Sequence, residues 1–359
     1  MRKVLTPTFT SGKLKGMLSP ILSITDNVID HLKSQISQEV NLKPIIRGFT
    51  VDSISRVAFG MHTKTYLGQD KDFMRSAEST TTAFTTYTWT SAFWYNVMGH
   101  LPFLAAFTGF FDDESVKLRT MTNDIMKERD LKNLHVGDFV DRLREFKRNV
   151  KPPITEGMID AQGMIFILGG FETTSTTIGS LMYYLAINPD VQDRVMEEID
   201  EILGSDPVNE DNIKDLHFME ACIQETLRLS PVIGETFRVC TKDCIVKGIQ
   251  FHKGVKISMP IYPSHINPDF FEEPQTFNPE RFLKDNEDLI IPYTWRPFGS
   301  GSRMCIGQRL ALMEMKIFMA KFLQTFKIVK TSNTKLEYDD GGLFMLSYPE
   351  IIVKLEERI

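Results

Sequence analysis

Phe298-Gly299-Ser300-Gly301-Ser302-Arg303-Met304-Cys305-Ile306-Gly307 leads straight into Gln308-Arg309-Leu310-Ala311-Leu312-Met313-Glu314-Met315-Lys316. The second stretch reads as a helix, which leaves the cysteine at the end of a glycine-rich turn just before a helix N-terminus. There the backbone N–H groups and the helix dipole favour the thiolate, the form in which cysteine binds a metal. Gly299, Gly301 and Gly307 allow the backbone to turn tightly and, lacking a Cβ, let a flat object lie close to it. Arg303 offers a cation to an anionic group at the rim of that object. A buried structural cysteine after a loop fits the same residues, because free cysteine is among the most buried residue types.

Upstream, residues 155 to 187 predict one long apolar-rich helix, on the order of 45–50 Å at 1.5 Å per residue. Asn188-Pro189 stops it, with Asn188 placed to cap the next helix and Pro189 in that helix's first position. Inside the long helix stands Gly169-Gly170-Phe171-Glu172-Thr173-Thr174. Each mid-helix glycine costs about 1 kcal/mol relative to alanine, so something must compensate. Close approach of a large planar ligand does so, and Glu172 and Thr173 then form a proton relay. A helix crossing that needs small residues, with threonine bonded back to the preceding turn, is the structural alternative.

Further helices are expected over 190–203, ending at Gly204, over 218–229, and over 306–326, and residues 13–40 and 69–147 read mainly as helices. Short strands follow at Cys244-Ile245-Val246, Ile249-Gln250-Phe251 and 255–259, and a Gly341-Gly342 turn separates two closing strands. Glu225-Thr226-Leu227-Arg228 places opposite charges one helical turn apart among apolar neighbours, and Pro279-Glu280-Arg281-Phe282 offers a second arginine. Glu225, Arg228 and Arg281 are expected to form one buried network bracing the cysteine loop. The reading is a mainly helical fold with a smaller strand-rich part.

Composition sets limits on this picture. With 359 residues, 42% hydrophobic and 25% charged, the chain is ordinary globular material with room for a large core. A net charge of −6 argues against nucleic acid as a main partner. Four cysteines without dense, even spacing suit a reducing environment, and Cys240 and Cys244 have no matching pair for zinc. No stretch of about 20 apolar residues reads as a membrane span. The aromatic-rich stretch from Trp89 to Phe111 suits core packing or a membrane-dipping loop.

Together the cysteine loop, the Glu-x-x-Arg pair, the Pro-Glu-Arg-Phe segment and the Gly-Gly-x-Glu-Thr helix resemble, in order and separation, the cytochrome P-450 family of heme-thiolate monooxygenases. The wording of Thr6-Pro7-Thr8-Phe9-Thr10-Ser11-Gly12-Lys13 and of Pro297-Phe298-Gly299-Ser300-Gly301 is most similar to the microsomal family-three and thromboxane-synthase branch. The resemblance implies a single heme-binding monooxygenase domain over 1–359 with the P-450 fold. It also implies an N-terminally incomplete one, since the family's Trp-x-x-x-Arg motif matches only at Arg2.

By the same resemblance the cofactor is heme b, with Cys305 as axial thiolate. Gly169, Gly170 and Phe298 lie against the ring, and Arg2, Arg238 and Arg303 hold its propionates. Thr173 and Glu172 deliver protons to the oxygen being activated. The substrate is a lipophilic small molecule meeting Ile165, Leu168, Gly169, Val232 to Thr236, and Leu343-Phe344. Electrons come from NADPH through a separate reductase, for which Lys3, Lys13, Lys15, Arg309 and Lys316 offer a basic patch. The implied location is the cytosolic face of the endoplasmic reticulum membrane, to which the full-length family member is attached. The resemblance leaves room for an isomerase of the thromboxane-synthase kind, which needs no external electrons, and for an inactive fragment.

Overall fold

In the computed structural model, which describes residues 2–85, 113–149, 155–204, 206–338 and 345–358, the centre of the molecule is a largely buried helix. This helix, α2 (Leu42–Phe59), follows a longer one, α1 (Ser11–Lys33), and a short strand, β1 (Glu39–Asn41). Asn41 caps α2 by accepting a hydrogen bond from the Lys43 N–H at 3.1 Å. Leu42, Ile46, Phe49, Val51 and Phe59 are all essentially removed from water, and Pro44 alone of α2 is exposed. The sequence reading passed it over, because Thr50, Asp52, Ser53 and Ser55, buried among its apolar residues, leave no helical stripe.

Around α2 stand α3 (Lys71–Thr85), α4 (Asp113–Leu131), α5 (Phe139–Asn149), α6 (Glu156–Gly170) and α7 (Glu172–Ile187). Then come α8 (Pro189–Ile202), α9 (His217–Leu229) and α10 (Gln308–Thr325). α10 packs against α1, and its Phe318 ring lies 4.5 Å from that of Phe49 in α2. Phe322 and Phe326 continue that aromatic row.

The long helix expected over 155–187 is two helices. Phe171 separates α6 from α7 with φ −87° and ψ −81°, its N–H still donating to the Ile167 carbonyl at 3.0 Å. The adjacent glycines weaken the helix here, and the Thr173 hydroxyl competes for a backbone carbonyl, donating to Gly169 O at 2.7 Å. The next boundary also differs in detail. Pro189 opens α8 as expected, but the Asn188 side chain points backward and donates to the Tyr184 carbonyl at 2.8 Å, closing α7 rather than capping α8.

Seven strands form three small antiparallel sheets among the described residues. β2 (Glu235–Val239) pairs with β5 (Lys256–Pro260), and β3 (Cys244–Val246) pairs with β4 (Ile249–Phe251) across the Lys247-Gly248 turn. β6 (Phe326–Val329) and β1 flank β7 (Ile352–Glu357). The sequence reading found β3, β4 and, displaced by one residue, β5, but not β1, which it placed largely in a helix, nor β2. The aromatic stretch at 89–111 and the Gly341-Gly342 turn lie outside the described residues, as do Leu343 and Phe344.

Candidate functional site

A cavity of about 360 Å³ opens where the α6–α7 break, the start of α10, β2 and the cysteine loop meet. The loop is held open by its own backbone. Gly299 and Gly301 sit at φ +72° and +68°, a conformation that suits glycine. The Gly299 N–H donates to Arg296 O at 2.9 Å, and the Cys305 N–H reaches back to Phe298 O at 2.8 Å, closing the turn. Cys305 and Phe298 therefore line the cavity from a loop whose shape needs no ligand.

The Cys305 thiol is raised above its ordinary pKa by desolvation. The N–H groups of Gly307 and Gln308 and the Arg2 cation pull the other way, in the direction expected of a helix end. Cys305 is nevertheless exposed to the cavity side. A metal at this sulfur must displace the proton itself.

The two mid-helix glycines turn out to have one explanation each. A Cβ on Gly170 would stand 2.8 Å from the Ile54 side chain of α2, so this glycine permits a helix crossing while also lining the cavity. A Cβ on Gly169 would meet nothing within 4 Å and would project into free space at the cavity, as would one on Gly299. These two positions leave a slot without side chains, while Gly301 shapes the loop beside it. Thr173 lines the same cavity, its hydroxyl bonded back to Gly169 O, while Glu172 is not among the lining residues. Glu172 is 2% exposed and accepts from Arg47 at 3.1 Å, and Arg47 also donates to Glu78 at 2.6 Å.

At the rim, Arg238 from β2 and Arg303 line the cavity, and Arg2 donates to the Met304 carbonyl beside Cys305. None of the three has a carboxylate partner among the described residues. Unpaired cations around an apolar slot that ends in a cysteine fit a flat, largely apolar group with anionic substituents and a metal at its centre. Heme b meets that description. Ile165, Val232, Ile233 and Thr236 line the cavity as expected of a substrate wall, whereas Leu168 does not.

Behind the loop, Glu225 and Arg228 of α9 form a two-pronged ion pair at 2.6 and 2.8 Å with no exposure to water. Arg228 also donates to the carbonyls of His265, Pro274 and Thr276, and Glu225 accepts from the Asn278 N–H at 2.9 Å. Arg281 approaches Glu225 at 3.6 Å. His265 in turn accepts the Arg296 N–H at 3.0 Å, so the network is tied to the residues that start the cysteine turn.

Sequence reasoning missed Glu314. It lies on α10 at the cavity wall, 4% exposed, with one carboxyl oxygen lacking a partner. Burial pushes its pKa up to about 8. A lone acid in Ala311-Leu312-Met313-Glu314-Met315 was the available signal. The expected basic patch is also smaller than the sequence suggested: Lys316 is 6% exposed and bonded to Glu220 at 2.9 Å, and Lys15 pairs with Glu210 at 3.1 Å. Lys13 donates to the Gly137 carbonyl, and Arg309 is exposed.

Comparison with known proteins gives this site its context. Residues 1–355 match the family profile of cytochrome P-450. The chain is 33% identical over 374 residues to human cytochrome P-450 3A7, the match covering 100% of this chain and 73% of that protein. Mouse cytochrome P-450 3A11 is 32% identical, with 99% of this chain and 73% of the relative covered. Human cytochrome P-450 3A5 is 32% identical over 100% of this chain and 73% of its own length.

The chain therefore belongs to the cytochrome P-450 family. It is a heme-dependent monooxygenase, an oxidoreductase whose family uses cysteine-ligated heme b and electrons passed from NADPH through a reductase.

Proposed function

We propose that this chain inserts one oxygen atom of dioxygen into a lipophilic small molecule, with Cys305 as the residue whose thiolate would hold the iron of heme b. The observation that carries this reading is the slot at Gly169 and Gly299, bounded by Cys305 and rimmed by arginines without carboxylate partners among the described residues. The heme supplies oxygen activation, assisted by electron donation from the thiolate. The chain's own residues do the rest. Arg2, Arg238 and Arg303 would hold the heme's propionates. Gly169 and Phe298 leave room for its faces. Ile165, Val232 and Ile233 exclude water and present an apolar wall to the substrate.

Thr173 places a hydroxyl on the cavity and is the residue we assign to holding a proton there, with Glu172 supplying it from the Arg47 side of the helix. Electrons arrive from an NADPH-dependent reductase docking near Arg309 and Lys13, at the cytosolic face of the endoplasmic reticulum membrane. No helix among the described residues is long and apolar enough to cross a membrane.

The deciding experiment is the spectrum of the reduced, heme-loaded protein with carbon monoxide. Retention of the thiolate-type red-shifted band in Cys305→Ser would remove Cys305 from this role. The cavity hydroxyl of Thr173 favours oxygenation over isomerisation, and NADPH consumption with added reductase separates the two. Thr173→Ala should load heme normally but divert reducing equivalents to peroxide, and equal coupling in variant and parent would take Thr173 out of the relay.

A further inference from the structure

Cys240 and Cys244 belong neither to the cavity nor to the core. Cys240 directly follows β2, and Cys244 opens β3 opposite Phe251. Both are half-buried, unlike Cys222, which is closed off inside the fold. Their sulfurs lie 3.8 Å apart, in van der Waals contact. This contact is set by backbone on both sides. The Cys240 N–H donates to Val255 O at 2.9 Å, and its carbonyl accepts the Gly254 N–H at 2.7 Å. On the far side, Asp243 accepts the Lys253 N–H at 2.7 Å, which ties the turn to the β4–β5 connection.

No cluster of histidine, cysteine and carboxylate groups suitable for a metal exists among the described residues, so zinc does not explain the pair. The Cys240 thiol points to the Lys242 carbonyl at 2.9 Å, leaving its sulfur lone pairs to face Cys244. The Cys244 thiol is raised above the ordinary value, chiefly through its hydrogen bond with Cys240.

We propose that Cys240 and Cys244 are a reversible thiol–disulfide site that responds to the glutathione pool. An S–S bond is about 2.05 Å long, so side-chain rotation must bring the sulfurs closer by slightly less than 2 Å, within a turn already shaped to hold them together. The oxidant is glutathione disulfide. The Cys240 sulfur, having lost its proton, attacks one sulfur of glutathione disulfide, breaking that bond and releasing one glutathione thiolate. The deprotonated Cys244 sulfur then attacks the mixed disulfide at Cys240 and expels the second glutathione. Two protein thiols are oxidised, one glutathione disulfide is reduced to two glutathiones, and both protons pass to solvent or to the leaving thiolates. The bond closes the 240–244 turn at the end of β2, next but one to Arg238 on the cavity rim.

Trypsin makes the bond directly readable, because it cuts after Arg238, Lys242 and Lys247 and so leaves each cysteine in its own peptide. The heme-loaded protein is held in glutathione buffers ranging from fully reduced to fully oxidised, its free thiols are alkylated, and it is digested without reductant. The expected product is Val239-Cys240-Thr241-Lys242 joined to Asp243-Cys244-Ile245-Val246-Lys247, two hydrogens lighter than the separate peptides and released completely by dithiothreitol. Cys240→Ser and Cys244→Ser should each abolish it and leave the remaining cysteine carrying glutathione. Free thiols at both positions in fully oxidised buffer would overturn the proposal. So would a link that appears only after unfolding in urea, or glutathione mixed disulfides as the sole product in the parent protein.

Discussion

Two glutamates in this molecule are almost equally far from water and are handled in opposite ways. Glu225 has no exposure and Glu314 has 4%. Glu225 faces the fork of Arg228 and a backbone N–H of Asn278, so its oxygens meet donors. Glu314 keeps one oxygen without a partner and stays protonated up to about pH 8. Burial alone does not decide whether a carboxyl keeps its charge. The supply of donors does, and here it divides a structural acid that anchors the cysteine turn from an acid left poised at a cavity wall.

The strongest way to break this contrast is Glu225→Ala. Removing one member of a buried ion pair leaves Arg228 without its partner and costs about 3–5 kcal/mol. Urea unfolding should show a midpoint far below the parent's, with little heme-loaded protein recovered. A parent-like midpoint would reduce the pair to an ordinary surface contact.

Glu314 should respond in the other sense. Its folded pKa of about 8 lies above the ordinary glutamate value of 4.5, so between these pH values the folded chain holds a proton that the unfolded chain has released. Stability is therefore lost as pH rises from 4.5 toward 8 and levels off above it, by on the order of 4 kcal/mol. Glu314→Gln should remove that slope, so the variant gains on the parent between pH 5 and 8 in thermal unfolding. Parallel Tm curves for the two proteins would mean that Glu314 is ionised and paired after all.

His265 extends the comparison to a buried base. Burial lowers its pKa from 6.5 to about 4, Nδ1 lacks a partner, and Nε2 accepts the Arg296 N–H. A base with a depressed folded pKa contributes stability above its unfolded pKa. That contribution, on the order of 3 kcal/mol, disappears as pH falls from 6.5 through 4. His265→Asn should flatten the acid limb of the stability curve, and an unchanged limb would place the acid sensitivity elsewhere.

The smallest effects separate the two glycines. Gly170→Ala forces Ile54 to yield and should destabilise by about 1–3 kcal/mol. Gly169→Ala meets open space, so it should stabilise the heme-free chain by up to about 1 kcal/mol while weakening heme retention. If both variants lost stability alike, the division of labour between the two positions would fail.

What could be read from the residues was the chemistry carried by short local patterns. The cysteine loop, the Glu225–Arg228 pair with Arg281 nearby, and the β3–β4 hairpin depend on neighbours in sequence, and all have the expected form. What could not be read depended on surroundings. α2 shows no stripe because polar residues such as Asp52 and Ser53 are buried among its apolar ones, and the break at Phe171 arises from a hydroxyl competing for a carbonyl within a pattern that still reads as helix. Lys316 and Glu314 look like any polar residues of an amphipathic helix until packing against α1, α2 and α9 closes over that side of α10. The aromatic stretch at 89–111 lies outside the described residues, and its role stays with the sequence reading.

The pairing of β1 with β7 has a kinetic consequence. Val40 sits opposite Val353, and the Asn41 carboxamide that caps α2 also accepts the Ile351 N–H at 3.2 Å. Contacts between positions so distant along the chain close only after the intervening loop entropy has been overcome, which places such a protein among slow folders. β6 follows α10 without a break, so the strand that completes this sheet also fixes the end of the helix rising from Cys305. Heme capture should therefore be a late event in refolding, appearing together with the last slow phase rather than with the early formation of helices.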